Sequence, residues 1–113
     1  MKVLRLTRHP ATPEQLAELQ RLYGPNAEVV EHSETVPNAG RVAELVTEYG
    51  ADVLETVLPI ALLADVLSLR SSVKVPVIRA ITNRVLETDG QKAAFVFSHY
   101  ERYIKVEIVT ERL

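Results

Sequence analysis

The sequence predicts an α/β protein with a Rossmann-like open sheet, in which four mainly parallel strands with flanking helices precede a C-terminal antiparallel hairpin. Two observations predict this fold. Strand-like apolar segments alternate with helical segments up to residue 82, which favours parallel pairing through right-handed crossovers. The pattern then changes around Asp89-Gly90, a dipeptide typical of a two-residue hairpin turn.

The first strand and helix have clear boundaries in the sequence. The strand covers Val3–Arg8, which is rich in Val and Leu. Thr12 is a suitable N-cap, Pro13 suits the first helical position, and Gln15 completes a capping box. Gly24 followed by proline ends the helix.

The next two strands enclose a second helix. A strand begins at Ala27 and continues towards His32 or Thr35. Asn38 caps the following helix and Gly50 ends it. A third strand is predicted over residues 53–58.

A third helix, Ile60–Leu69, is apolar on nearly every face. A helix that flanks a sheet in a monomer usually has a polar outer face. Either the C-terminal hairpin covers this helix or a second copy of the chain does. We favour a homodimer through Leu63 and Val66, because 113 residues offer little surface to cover the helix.

The remaining segments predict strands. A fourth parallel strand is expected over Val73–Ile81, and a hairpin joins Arg84–Glu87 to Ala93–Ser98. Polar and apolar residues then alternate over Tyr103–Thr110, which predicts an antiparallel edge strand with one buried face.

Composition limits the class of protein. With 113 residues we expect one domain, residues 1–113, made of a core (1–82) and an extension (83–113). The absence of cysteine excludes disulfides and thiol nucleophiles. A net charge of −2 argues against binding to duplex nucleic acid. The longest apolar run, Val57–Ala64, is too short to span a membrane, and we expect a cytoplasmic protein.

Basic and hydroxyl side chains follow the strands of the predicted sheet. Ligands of open parallel sheets bind beyond the carboxyl ends of the strands, and arginines and helix N-termini there favour phosphate. We therefore predict a site for a small phosphate-bearing ligand, although each arginine could instead form a surface salt bridge. The candidate residues are Thr7, Arg8, His9, His32, Thr56, Arg79, Thr82, Asn83 and Arg84.

The histidines differ in their expected roles. His9 is a candidate proton donor or acceptor, since its ordinary pKa lies near neutrality, or it shapes the turn before the helix. His99 should lie at the opposite end of the sheet, which speaks against a three-histidine zinc site. Carboxylates for magnesium are limited to Glu34 and Glu55, so we expect neither metal nor cofactor.

Two parts of the chain resemble a known family. Residues Leu4–Gln15, and the segments Val75–Arg84 and Phe97–Tyr103, are similar to small single-domain CARF-type proteins found beside type III CRISPR loci. The resemblance implies a Rossmann-like dimer that binds a cyclic oligoadenylate second messenger across its two-fold axis. Some such proteins are ring nucleases, in which a ribose 2′-OH attacks its own phosphate without a metal.

In that family, the matching residues would have defined roles. The resemblance implies that His9 acts as general acid or base and that Arg79 or Arg84 holds the phosphorane. Thr7, together with the pair Thr82 and Asn83, would orient the ring.

Three functions therefore remain open at this stage. The chain is a ring nuclease, or a non-catalytic sensor or sponge of the same messenger, or an unrelated small α/β interaction protein whose apolar third helix is its main feature. Cleavage and binding need the same arginines, so the sequence does not separate the first two.

Overall fold

The computed structural model describes residues 1–86 and 93–113, and in this part of the chain three helices flank a five-stranded sheet. The strands are β1 (Lys2–Leu6), β2 (Glu28–His32), β3 (Val53–Thr56), β4 (Val77–Leu86) and β5 (Ala93–Arg102). The helices are α1 (Pro13–Tyr23), α2 (Ala39–Tyr49) and α3 (Ile60–Leu67). The α/β class and the mostly parallel sheet are confirmed.

The strand order is β2-β1-β3-β4-β5, with β1 to β4 parallel and β5 antiparallel to β4. The chain passes from β1 to β2 on one side and then crosses to β3 on the other side. The order therefore reverses between β1 and β3, and the loops after these two strands diverge there. In open α/β sheets such a reversal leaves a crevice at the carboxyl ends of the strands.

Local signals set the helix boundaries as the sequence predicts. The Thr12 side chain accepts a hydrogen bond from the Gln15 N–H, and the Gln15 side chain accepts one from the Thr12 N–H, which completes the capping box of α1. The Asn38 side chain caps α2. Gly50 ends that helix with a φ of 62°, a left-handed conformation that glycine adopts without strain.

The core lies on both faces of the sheet, and it includes the inner side of α3. Leu63 and Val66 are only 3% and 1% exposed, because they pack against residues of β1, β3 and α2 within one chain. The expectation that these two residues form a dimer contact is therefore wrong. The large apolar side chain that α3 leaves exposed is that of Ile60.

The C-terminal third differs most from the prediction. Two strands are expected here, Val73–Ile81 and Arg84–Glu87, but residues 77–86 form one strand, β4. It begins after Pro76, because proline offers no N–H to the ladder. Neither glycine nor proline interrupts the chain between these segments; a register shift between Ile81 and Thr82 takes the place of a break. The predicted turn at Asp89-Gly90 lies outside the described residues.

Two further expectations for this region are corrected. Residues 103–110, expected to form an antiparallel edge strand, belong to no strand in the described part of the chain. His99 pairs with Ile81, beyond the carboxyl end of β3, and not at the opposite end of the sheet. The reason is the length of β4, which continues well past β3 and carries the start of β5 with it.

Among residues 1–86 and 93–113, no helix has both the length and the apolar character that a membrane crossing requires.

Candidate ligand-binding site at the carboxyl edge of the sheet

A cleft of about 410 Å³ opens where the strand order reverses. It lies between the loop after β1 and the loop after β3, with the segment after β2 along one side. Small-molecule sites span roughly 300–1,000 Å³, so the cleft suits a ligand the size of one nucleotide. The lining residues are Leu6, Thr7, Arg8, His9, Glu34, Thr35, Val36, Val57, Leu58, Pro59 and Leu62.

The lining divides into an apolar floor and a polar rim. Side chains such as Leu6, Val36 and Leu62 provide a surface for a flat apolar group. Arg8 and His9 are exposed at the rim. The start of α3, at Pro59, also faces the cleft and has no side-chain cap, which leaves N–H groups of its first turn available to an acceptor.

Beneath the rim, a row of charged side chains crosses three strands. Arg5 of β1 lies in register with Glu31 of β2 on one side and with Glu55 of β3 on the other. Its guanidinium donates to Glu31 Oε1 at 2.6 Å and to both oxygens of Glu55 at 2.9 and 3.2 Å. Arg5 and Glu55 are each 3% exposed, so this is a buried ion pair.

Neighbouring groups complete the hydrogen bonding of this row. The hydroxyl of Tyr100 donates to Glu55 Oε1 at 2.9 Å, and Gln15 Oε1 accepts from Arg5 at 3.3 Å. Burial and the adjacent Glu55 carboxylate raise the pKa of Tyr100, which keeps the phenol protonated. No buried side-chain polar atom among the described residues lacks a partner.

The charged row fixes the backbone of the loop that carries Arg8 and His9. Arg5 donates to the carbonyl oxygen of His9 at 3.1 Å, and Glu31 accepts from the N–H of Ala11 at 2.6 Å. This backbone bond, with Arg5, lowers the pKa of Glu31. The Thr7 hydroxyl donates to the His9 carbonyl at 2.8 Å and accepts from the His9 N–H at 3.1 Å.

The three histidines differ in the hydrogen bonds that their rings make. Both ring nitrogens of His32 are occupied, by Tyr49 at 2.8 Å and Glu34 at 3.1 Å, and those of His99 by Ser98 and Glu101. The imidazole of His9 makes no hydrogen bond to any residue within 1–86 and 93–113. Within the described part of the chain, His9 therefore combines a fixed backbone with an exposed ring whose nitrogens have no hydrogen-bond partner.

Glu34 lines the cleft as part of a separate ion-pair group. Arg41 binds it through two hydrogen bonds of 2.7 and 2.8 Å, and His32 adds a third. These bonds, Arg41 first, lower the pKa of Glu34 to about 2. The carboxylate stays charged but is largely neutralised, so it repels an anionic ligand less than a free glutamate would.

The structure brings together only part of the predicted site. Thr7, Arg8 and His9 line the cleft. Thr56 is fully buried and donates to the carbonyl oxygen of Leu6 at 3.1 Å. His32 stands behind Glu34, as described above, and does not itself line the cleft.

The residues predicted from β4 lie elsewhere. Arg79 pairs with Glu101 at 3.1 Å, and its guanidinium lies 5.3 Å from the ring centre of Tyr103. The exposed residues Thr82, Asn83 and Arg84 belong to the part of β4 that extends beyond β3. Arg79 and Arg84 therefore do not line the cleft in one chain.

Sequence reasoning missed the charged row. Arg5 stands between two leucines in a buried strand, and Glu31 and Glu55 stand at the same register in the two strands beside it. A charge inside an apolar strand is a signal that a partner of opposite charge lies opposite. The sequence contains that signal, but the partners of Arg5 can be named only when the strands on either side of β1 are known.

Among the described residues, no group of three or more histidine, aspartate or glutamate side chains could hold a metal ion. Comparisons of the chain with protein-family models, with curated proteins and with solved structures find no match.

Proposed function

We propose that the cleft binds one nucleotide unit of a cyclic oligoadenylate, and that the chain is a Rossmann-like, CARF-type protein of a type III CRISPR defence system. One observation carries this proposal. The cleft lies where the strand order reverses, and it combines an apolar floor with the exposed Arg8 guanidinium and the exposed His9 imidazole. The resemblance of the first strand and helix to that family supports the choice of ligand.

The two parts of the cleft suit the two parts of a nucleotide. An adenine ring fits the apolar floor, since a flat aromatic group gains by leaving water. The phosphate lies at the rim, where the Arg8 fork and the uncapped start of α3 supply donors. Arg8 thus takes the phosphate-binding role first assigned to Arg79 and Arg84, because it lines the cleft and they do not.

A ring of several nucleotides extends past one cleft of this size. In the proposal, a second copy of the chain holds the rest of the ring, so that the ligand spans the two-fold axis of a homodimer. Only a few phosphates need cations, which agrees with a chain whose net charge is −2. A cytoplasmic location belongs to the same proposal.

Ring cleavage is a second candidate function, and the free imidazole of His9 favours it. In this reaction the 2′-oxygen bonds to the adjacent phosphorus, the bond from phosphorus to the 5′-oxygen breaks, and a 2′,3′-cyclic phosphate and a 5′-OH remain. His9 accepts the 2′-OH proton or gives a proton to the leaving 5′-oxygen. Arg8 stabilises the charge of the phosphorane.

Labelled cyclic tetra- and hexa-adenylate separate these candidates. Binding is measured by calorimetry and cleavage by chromatography with EDTA present. We expect Arg8→Ala to weaken binding by at least about tenfold, as for loss of a charged hydrogen-bonding partner. We expect His9→Ala to keep the affinity and to slow cleavage by about 10²-fold or more. Arg84→Ala is the matched control for loss of an exposed arginine outside the cleft.

The outcomes decide between the three functions. Absence of binding of either ring by the folded protein overturns the nucleotide site and favours an interaction protein. Binding without linear products makes the chain a sensor or sponge. Equal losses in Arg8→Ala and Arg84→Ala would move the site away from the cleft.

A further inference from the structure

Residues Tyr103–Thr110, here called the C-terminal segment, alternate polar and apolar side chains as a strand does, but they pair with no strand among the described residues. After Tyr103, whose N–H donates to the carbonyl oxygen of Val77, the chain leaves the sheet at the amino end of β4. Ile104 is 86% exposed and Ile108 is 56% exposed. Ile104 and Ile108 lie two residues on either side of Val106, and exposed apolar side chains so close together indicate an interaction surface.

The order of residues in this segment is self-complementary. If two copies pair antiparallel about an axis through Val106, Lys105 lies opposite Glu107 of the second copy, and Glu107 lies opposite its Lys105. Ile104 then lies opposite Ile108 of the second copy. Opposite charges and apolar pairs that face each other across two strands are the contacts that stabilise an antiparallel pair.

The same charges disfavour an axis at either charged residue. An axis through Lys105 would place two lysines opposite each other, and an axis through Glu107 would place two glutamates opposite each other. Like charges directly opposite destabilise a strand pair. The charges thus favour the axis through Val106 over these two alternatives.

Each copy already supports its own segment. Tyr103 and Val106 pack against the core cluster on the side of the sheet that holds α2 and α3. A pair of strands by itself is only marginally stable in water. Packing of both strands on a hydrophobic core adds the stability that the pair lacks. Lys105 and Glu107 are exposed and pair within the chain at 3.1 Å, so both charges are accessible to a second copy.

We propose that the C-terminal segment is a homodimerisation strand, in which two copies of the chain pair antiparallel across a two-fold axis at Val106. This interface lies beyond the amino end of β4, whereas the cleft lies at the carboxyl end of the sheet. It is therefore a different contact from a pairing of two clefts about one ligand. It does not rest on the proposed function, and it takes the place of the contact first expected from α3.

A charge-exchange experiment tests this interface by sedimentation velocity over a range of protein concentrations. Lys105→Glu and Glu107→Lys each place like charges opposite each other twice in a homodimer, and we expect each to raise the dimer Kd by about tenfold or more. An equimolar mixture of the two variants restores both cross-strand pairs in a heterodimer, and the double variant restores them in a homodimer. Arg70→Glu, at an exposed site outside the segment, controls for the change in net charge.

The mixture is the decisive part of the experiment. Each single variant also loses the ion pair within the chain, and the mixture does not restore that pair. Recovery of the dimer in the mixture therefore supports pairing between chains. A wild-type chain that stays monomeric, single variants that dimerise as the wild type does, or a mixture that fails to recover the dimer would each overturn the proposal. Circular dichroism confirms that every variant is folded.

Discussion

The loop after β1 and the C-terminal segment are both irregular and both carry exposed charges, but they are held in different ways. The loop is fixed from below, because the buried Arg5 and Glu31 bind the backbone of His9 and Ala11. The C-terminal segment is held to its own chain by Tyr103 and Val106 and exposes its other apolar residues. The contrast suggests that the first region is prepared for a small ligand and the second for another chain.

Removal of Arg5 should have the largest effect on this contrast. Arg5→Met leaves the carboxylate of Glu55 buried without its cation, and we expect a loss of about 3–5 kcal/mol in the free energy of unfolding. Arg79→Met removes an exposed pair with Glu101 and should cost about 0–1 kcal/mol. Urea unfolding followed by circular dichroism measures both. Similar small losses would mean that the charged row is not the support of the loop.

A large-to-small change in the core separates the buried face of α3 from the exposed segment. Leu63→Ala removes a side chain that is 3% exposed, and we expect a loss of about 2–5 kcal/mol in the free energy of unfolding. Ile104→Ala should cost about 0.5 kcal/mol or less at concentrations where the chain is monomeric. The same urea titrations provide the comparison. A larger loss for Ile104→Ala would place that residue in a core contact of the single chain.

The capping box should contribute less, and it links the loop to α1. Thr12→Ala removes the side chain that accepts from the Gln15 N–H, at an expected cost of about 1 kcal/mol. Asn38→Ala at the start of α2 is the matched cap away from the charged row, with a similar expected cost. Hydrogen exchange of the Ala11 N–H should rise in the Thr12 variant and not in the Asn38 variant. Equal exchange rates of the Ala11 N–H in both variants would mean that the α1 cap does not stabilise the loop after β1.

The smallest expected effect is on the free energy of unfolding at acidic pH, and it comes from Glu34. Its pKa in the folded chain is lowered from 4.5 to about 2, so its contribution is fully present above pH 4.5 and is lost as the pH falls towards 2. Glu34→Gln should therefore flatten the fall in stability across this interval. Arg41→Ala removes the main cause of the shift and should flatten it as well. Thermal unfolding at several pH values checks this, and an unchanged slope in both variants would refute it.

These two regions also show where sequence reasoning succeeded. The helices follow from local signals, since Thr12, Gln15 and Asn38 make the predicted caps. The alternation of strands and helices was sufficient for the α/β class, and it put Thr7, Arg8 and His9 at the correct edge of the sheet. Each of these inferences depends on neighbours in the chain or on the common direction of parallel strands.

The remaining errors concern partners that are distant in the sequence. Arg5 and Glu55 are 50 residues apart, and their pairing depends on the strand order. The length of β4 depends on its pairing with β5. Because β4 is long, Arg84 lies away from the cleft and His99 lies beyond the carboxyl end of β3. The alternating pattern of Tyr103–Thr110 predicted an edge strand, but these residues form no strand in the described part of the chain, because the pattern does not specify a pairing partner.

A map of amide chemical shifts tests the central claim most directly. When cyclic tetra-adenylate is added to the ¹⁵N-labelled chain, we predict that the largest changes fall on residues 7–9, 34–36 and 57–59, which line the cleft. We predict small changes along residues 79–86. Changes concentrated on residues 79–86, or none anywhere at saturating ligand, would contradict a nucleotide site at the reversal of the strand order.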